Sequence, residues 1–294
     1  MTIQTMHILD PDRYDRAAAQ FDRRFTLPGG PSSLELLKVI LSHFGLLPYE
    51  NMSKIIKFQQ TGGGKESLRL PDEVLEDHLR HHLGGTCFSL TFFLQTILTR
   101  RDFVSYPVLA DMRWGENVHC ALIVLHGKEK YLVDPGYLLN QPLALHPDIP
   151  RLYKTEHTGV ELVYYPETSQ YDLYTFNRSE MAWRYRFRDA PVPPDDFLTR
   201  WLSSFHWNGM HGLCLTRVER ERMVYIHKTY MRETFFEGKR SRQIKNELHG
   251  VIHREFGIAP QKVEEALAAI ETNRIHNARN PHRNPIASRG EIRS

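Results

Sequence analysis

The pattern of apolar positions changes character about a third of the way along the chain. Up to residue 102 it is helical. A segment opening at Asp10-Pro-Asp and running through Phe21 carries its acids at the end where a helix dipole favours them. Ser32-Ser-Leu-Glu35 reads as a capping box, after which Leu34, Leu37, Ile40, Leu41 and Phe44 recur at helical spacing until Gly45. Pro71 followed by Asp72 and Glu73 predicts a helix to about His82. Gly84-Gly85 breaks that run. Phe88, Leu90, Phe93, Leu94, Ile97 and Leu98 then predict another helix from Cys87 to about Thr99, on one apolar face.

After Asp102 the runs become short and β-rich. Val104 to Met112, Val118 to Leu125 and Lys130 to Asp134 read as neighbouring strands, joined by Trp-Gly-Glu-Asn and His-Gly-Lys-Glu turns. Further strands are expected at Val160 to Tyr165, Tyr171 to Phe176 and Met181 to Arg188. Pro191-Val-Pro-Pro194 marks a linker, followed by a short helix at Asp195 to Ser203. A hairpin (Leu213 to Val218, Met223 to His227) precedes helical stretches at Gln243 to Phe256 and Gln261 to Thr272. From Arg274 onward Asn, Arg, Pro and Ser dominate without periodicity, which predicts a disordered basic tail. No internal repeat stands out.

Composition narrows the function classes. The 294 residues are 41% apolar and 25% charged, ordinary values for a globular chain, and the length alone suggests two domains. No apolar run approaches the ~20 residues that span a bilayer, and no basic flank followed by an apolar stretch suggests a secretory signal. Cys87, Cys120 and Cys214 are too few for a disulfide framework, which predicts reduced thiols and a cytoplasmic protein. Net charge is 38 − 35 = +3, yet five arginines against Glu291 put +4 on residues 274–294, so the remainder is near −1. A nucleic-acid binder is not expected from such a body, nor a membrane partner.

The candidate chemistry lies at Gly84-Gly85-Thr86-Cys87, where a glycine turn hands a cysteine to a helix start. Free N–H groups and the positive end of the helix dipole lower a thiol pKa there, and the same donors stabilise an oxyanion on an attached acyl carbon. A thiolate gains from a base, and a base from an orienting group. His119 in Asn-Val-His-Cys-Ala and Asp134 in Tyr-Leu-Val-Asp-Pro-Gly lie on neighbouring expected strands, so both are available. Residue types alone leave a buried structural thiol as the alternative. Cys120 falls on the opposite strand face from His119 and reads as a core thiol. Gly62-Gly-Gly-Lys65 lacks the first glycine and the Ser or Thr of a phosphate loop, and reads as a flexible loop. Sixteen histidines include no His-Glu-x-x-His, and no Cys-x-x-Cys occurs, so no metal site is expected.

Leu47-Pro-Tyr-Glu-Asn-Met-Ser53, Gly84-Gly-Thr-Cys-Phe-Ser-Leu, Val118-His-Cys-Ala-Leu and Tyr131-Leu-Val-Asp-Pro-Gly-Tyr137 together resemble the arylamine N-acetyltransferase family in order and spacing. Trp183-Arg-Tyr-Arg-Phe187 and Pro194-Asp-Asp-Phe197 extend the resemblance over roughly residues 10 to 270. It implies an α+β fold: an N-terminal helical bundle, a central β-barrel and a C-terminal α/β lid around a cysteine-protease-like Cys-His-Asp core. The corresponding boundaries are 1–102, 103–193 and 194–273, with the tail at 274–294. Ping-pong transfer of an acetyl or other short acyl group, from acyl-CoA to an arylamine, hydrazine or N-hydroxyarylamine, is implied too. Cys87 matches the nucleophile, His119 the base and Asp134 the orienting acid. Tyr49, Val118 and Tyr137 match positions lining the acceptor slot. No permanently bound cofactor is implied; acetyl-CoA is a co-substrate. Alternatives are an amide synthase of the same family acting on carrier-bound acyl chains, and, in another class, a thiol hydrolase or transglutaminase-like enzyme.

The chain also departs from the family pattern. Leu83 replaces an arginine, Ser89 a glutamate and Thr91 an asparagine, while Pro135 and Tyr137 follow the aspartate in place of a small residue and a phenylalanine. Glu50 is left without its usual arginine, and His81, His82 or Arg80 is the expected substitute. Ser204 to Gly212 lacks the family's serine- and proline-rich pattern.

Overall fold

The computed structural model describes residues 5–155, 157–219 and 221–279, with side chains through residue 274. Four helices form the first part: α1 (Asp15–Arg24), α2 (Leu34–Phe44), α4 (Pro71–His81) and α5 (Cys87–Arg100), with α3 (Met52–Thr61) and the short β1 (Tyr49–Glu50) set between them. The cap of α2 is Ser33, whose Oγ accepts from Leu36 N at 3.1 Å, one residue later than the capping-box reading. α5 is buried on every side from Cys87 to Leu98, not on one face. Leu90, Phe93, Leu94, Ile97 and Leu98 pack with Phe21, Leu37 and Phe44, whereas Phe88 and Phe92 face Trp201 and Phe205. Full burial of each such side chain contributes about 1.5–3 kcal/mol. The buried amide of Gln95 is satisfied by the Ile8 N–H (2.9 Å) and the Met6 carbonyl (2.8 Å), which pins the N-terminal segment across the helix.

Eight strands follow: β2 (Val104–Met112), β3 (Gly115–His126), β4 (Glu129–Val133), β5 (Leu143–Ala144), β6 (Arg151–Lys154), β7 (Gly159–Tyr165), β8 (Gln170–Phe176) and β9 (Met181–Phe187). They form an antiparallel sheet in the order β5-β4-β3-β2-β9-β8-β7-β6. The sheet curls into a nearly closed barrel, and its two edges meet where the Tyr153 hydroxyl donates to the Ala144 carbonyl at 2.9 Å. The two-residue period sorts β3 cleanly: Ala121 and Ile123 fill the barrel, while Leu122 and Val124 pack on the helices.

After α6 (Pro194–Ser203), a second antiparallel sheet contains β10 (Cys214–Glu219), β11 (Arg222–His227), β12 (Tyr230–Phe235) and β13 (Gly238–Gln243), with β1 added beside β10. Leu215, Val224, Ile226 and Met231 on one face pack against α7 (Leu248–Phe256) and α8 (Pro260–Arg279). Met52 and Ile56 of α3 join that cluster, so β1 and α3 pack with the C-terminal part although they lie inside the first 102 residues. Gln243 ends a strand instead of starting a helix, and α8 runs to Arg279, past the expected stop at Thr272. The remainder of the expected tail, 280–294, lies outside the described residues. The fold class is α+β, as the sequence predicts. Among the described residues no helix is long and apolar enough to cross a membrane.

Candidate active site

Cys87 owes its position to a turn held from both sides. The chain passes so close to Pro48 that a Cβ on Gly84 would lie 1.9 Å from the Pro48 carbonyl oxygen. The Gly84 N–H donates to Glu50 Oε1 at 3.2 Å, and the Gly84 carbonyl accepts from Arg69 Nη2 at 3.2 Å. Glu50 also accepts from the Ser53 N–H at 2.9 Å and from the Ser53 hydroxyl, while Arg69 pairs with Glu73 and Asp77. The cation near Glu50 is therefore Arg69, not the expected Arg80, His81 or His82. Arg80 pairs with Glu76 at 2.8 Å on the exposed side of α4, and His82 caps α4 in the left-handed conformation. Replacing Arg69 with methionine would leave half-buried carboxylates and a free Gly84 carbonyl. We expect it to cost on the order of 3 kcal/mol, read as a melting-temperature drop of several degrees.

The turn delivers Cys87 to the first position of α5, where Leu90 is the first residue whose N–H bonds back to Thr86 (3.0 Å). The N–H groups of Cys87, Phe88 and Ser89 thus have no partner within the helix. His119 Nε2 and Asp134 Oδ2 are 2.7 Å apart, and both side chains are almost fully buried. That bond commits Nε2 to the carboxylate and leaves Nδ1 for the Cys87 sulfur, with which the ring shares a hydrogen bond. Asp134 Oδ1 accepts from the Tyr137 N–H at 2.9 Å, so one carboxylate fixes both the imidazole and the loop that follows.

Electrostatics favour a charged pair. The Cys87 thiol is pushed down to about 5 by a hydrogen bond from Cys120, then by the bond to and charge of His119 and the charge of Lys54, against the opposing effect of burial. Burial works against a charged His119, yet the Asp134 charge and hydrogen bond, with Cys87, raise it to about 10. Between these values a thiolate–imidazolium pair is the stable form. Cys120 is held protonated, chiefly by burial and then by Cys87, so it remains a donor. It is the core thiol the strand period predicts, packed with Phe88 and Phe92, and it also reaches the nucleophile. Lys54 is buried, donates to the Ser204 carbonyl at 3.0 Å, and is lowered to about 8 by burial.

One cavity of about 540 Å³ opens from this group toward solvent. Tyr49, Val118 and Tyr137 line it together with Cys87 and His119, so all six sequence-predicted site residues converge in space. The Gly62–Lys65 segment does not reach its wall; Gly62 caps α3 with a positive φ.

A family model described as N-acetyltransferase matches residues 33–264. The chain belongs to the arylamine N-acetyltransferase family. Among solved structures, the arylamine N-acetyltransferase from Mycobacterium abscessus superposes with a TM-score of 0.73 at 17% identity, covering 86% of this chain and 94% of that one. The Nocardia farcinica enzyme gives 0.70 at 20% identity, covering 89% of this chain and 93% of that one. The Mycobacterium marinum enzyme in complex with CoA gives 0.70 at 16%, covering 87% and 98%. These identities carry the fold. A search of curated protein sequences finds no match. The chain is thus a divergent arylamine N-acetyltransferase family member and an acyl-CoA-dependent acyltransferase.

Its departures from the family pattern have local explanations. Leu83 packs into the apolar cluster of Met52, Leu213 and Val224, where a charge has no place. Ser89 turns its hydroxyl to the Thr86 carbonyl (3.0 Å), and Thr91 sits 3.5 Å from the Cys120 carbonyl. The unusual Ser204 to Gly212 segment is held by Asn51, whose Nδ2 donates to the Gly209 (2.6 Å) and Gly212 (2.8 Å) carbonyls. Sequence reasoning missed Tyr185, whose ring is 4.9 Å from that of His119. Its signal was present in the aromatic strand Trp183 to Phe187. Lys54 gave no signal, because a lysine on an amphipathic helix ordinarily faces water.

Proposed function

We propose that the chain transfers an acyl group from acyl-CoA to an arylamine, hydrazine or N-hydroxyarylamine through a Cys87 thioester, in ping-pong order. The observation that carries this reading is a buried Cys87–His119–Asp134 relay facing a cavity of about 540 Å³. The Cys87 thiolate attacks the thioester carbonyl carbon, and the carbonyl electrons move to an oxyanion near the free N–H groups at the start of α5. Collapse breaks the bond to the CoA sulfur, which takes the proton of the His119 imidazolium. CoA leaves an acyl-cysteine. The amine then attacks the same carbon, neutral His119 accepts its proton, and the Cys87 thiolate departs. Asp134 keeps the imidazole in the required tautomer throughout.

Tyr49, Val118 and Tyr137 are assigned to the acceptor slot, where flat aromatic faces suit an aryl ring. The organisation follows chain order: 1–102 brings the nucleophile, 103–193 the base and acid, and 194–273 covers them. Three free thiols suit a reducing cytoplasm.

Intact-mass analysis after incubation with a panel of acyl-CoA thioesters tests the reading. The expected result is one acyl group per chain, discharged by an added arylamine and absent from Cys87→Ala. Normal acylation of Cys87→Ala would move the chemistry to Cys120 or Cys214 and overturn it. Discharge at the same rate without amine would favour hydrolysis.

A further inference from the structure

A second sulfur, that of Cys120, lies against the nucleophile, although acyl transfer needs only one. Its seat is built by α5. Thr91 stands four residues after Cys87, on the same face of the helix and one turn (about 5.4 Å) further along. The Cys120 thiol is 3.5 Å from the Thr91 hydroxyl, and that hydroxyl is 3.5 Å from the Cys120 carbonyl. Main chain and sulfur of Cys120 are thereby both held beside the Cys87 face of the helix, and the two thiols share a hydrogen bond. Thr91 stands where the family pattern has an asparagine, so the seat is particular to this chain.

The two sulfurs differ in access and in charge. Cys87 lines the cavity, whereas Cys120 is wholly buried and packs with Phe88 and Phe92. A small solute entering the cavity therefore meets the first sulfur and not the second. Cys87 is a thiolate at neutral pH, paired with the His119 imidazolium. Burial, then the bond to and charge of Cys87, keep Cys120 protonated. A thiolate is the form that reacts with peroxides, and an oxidised cysteine beside a second thiol condenses with it before further oxygen can add.

We propose that Cys87 and Cys120 form a peroxide-sensitive thiol pair that closes into a reversible disulfide, stopping acyl transfer while sparing the nucleophile from irreversible oxidation. This rests on the acyl-transfer reading above, because the sulfur that is oxidised is the one that carries the acyl group. The Cys87 thiolate attacks one oxygen of hydrogen peroxide or an alkyl hydroperoxide; an S–O bond forms and the O–O bond breaks. The departing oxygen takes the His119 proton and leaves as water or an alcohol. Sulfur is oxidised to a sulfenic acid and the peroxide is reduced. The charge on Cys87 that helped to keep Cys120 protonated is then gone, and Lys54, which acts electrostatically on both sulfurs, favours ionisation of Cys120. Cys120 attacks the Cys87 sulfur, the S–O bond breaks, and the Cys120 proton ends on the departing oxygen as water. A dithiol reductant returns two electrons and restores both thiols.

The test treats the full chain with rising hydrogen peroxide, blocks remaining thiols with an alkylating reagent, and reads intact mass and an unreduced peptide map. The wild type should lose two hydrogens, with the Cys87 and Cys120 peptides linked and only Cys214 left to alkylate. Dithiothreitol should then restore the starting rate of acyl transfer. Cys120→Ser keeps a hydroxyl donor but removes the second sulfur. At the same dose it should gain oxygen atoms instead of losing hydrogens, and most of its own starting rate should stay lost after dithiothreitol. Cys214→Ser should form the link as the wild type does.

A wild type that gains oxygen without linking, a link through Cys214, or equal recovery of Cys120→Ser and wild type overturns the proposal. The peptide map is made on the wild type, so it decides the matter even where Cys120→Ser fails to fold. Failure of every thioester to acylate Cys87 would instead remove the acyl-transfer reading; the mass and the map would still decide the thiol pair.

Discussion

Asp134→Asn is expected to slow acylation of Cys87 by about 10⁴-fold, the scale of loss when an orienting aspartate is neutralised in other triads. The reason lies in the single 2.7 Å contact between Asp134 Oδ2 and His119 Nε2. The carboxylate accepts from Nε2–H and leaves Nδ1 to take a proton from the thiol. An asparagine that donates its amide to Nε2 reverses the tautomer, and Nδ1 then carries a proton it cannot accept again. The charge matters as well. His119 stands near 10 because the Asp134 charge and hydrogen bond outweigh its burial. Without that charge, burial makes the neutral ring the stable form, and the Cys87 thiolate loses its cation.

The sign is testable by following alkylation of Cys87 against pH. In the wild type the thiolate persists as pH falls until about 5. In Asp134→Asn the midpoint should rise toward the ordinary thiol value of about 8.5. His119→Ala should cost as much, and the double substitution little more than either alone, because the residues act as one unit. Multiplying losses, or an unmoved midpoint, would refute the charged-pair picture.

The relay was legible in sequence because each part sits at a place where local rules are strong. A double glycine before a helix start fixes Cys87. His119 and Asp134 are linked by strand register: Leu122 pairs with Val133, so the ladder extended by one pair sets Asp134 opposite Ala121 and diagonal to His119 on the same face. α4 and the core of α5 were equally plain from apolar spacing and Pro71.

What was not legible depends on tertiary choice. Ser32 and Ser33 both qualify as caps, and only the approach of the chain selects Ser33. α3 hides its helical period because Lys54 and Ser53 are buried with Met52, Ile55 and Ile56. β12 and β13 are polar because only one face of their sheet packs on helices, and β13 has little to bury at the edge. The barrel strand carrying Arg184 was predicted, but its bulge was not, since an extra residue shows only in the pairing. The family resemblance marked where a pair of charges was missing. It could not say that Arg69, just before α4, bonds the Gly84 carbonyl.

Gly136→Ala should separate precise placement of the relay from stability. Gly136 is not in the left-handed region, so conformational freedom is not why a glycine stands there. The reason is distance: an added Cβ would lie 2.6 Å from Cys87 Cβ, 2.9 Å from Cys87 Cα and 3.0 Å from His119 Cε1. Cys87 cannot yield, because the glycine turn and the start of α5 fix its backbone. The loop must move instead, and it is tied to Asp134 through the 2.9 Å bond from the Tyr137 N–H. Shifting the loop drags the carboxylate from His119; shifting the imidazole breaks its contact with the sulfur. Overpacking of this kind costs about 1–3 kcal/mol, whereas a displacement near 1 Å at reacting groups costs about 10²-fold in rate. The variant is therefore expected to melt only a few degrees lower while acyl-enzyme formation falls by at least about a hundredfold. Stopped-flow acylation and thermal melting on the same preparation check both halves. Wild-type acylation in a folded Gly136→Ala protein would show that this loop does not press on the relay.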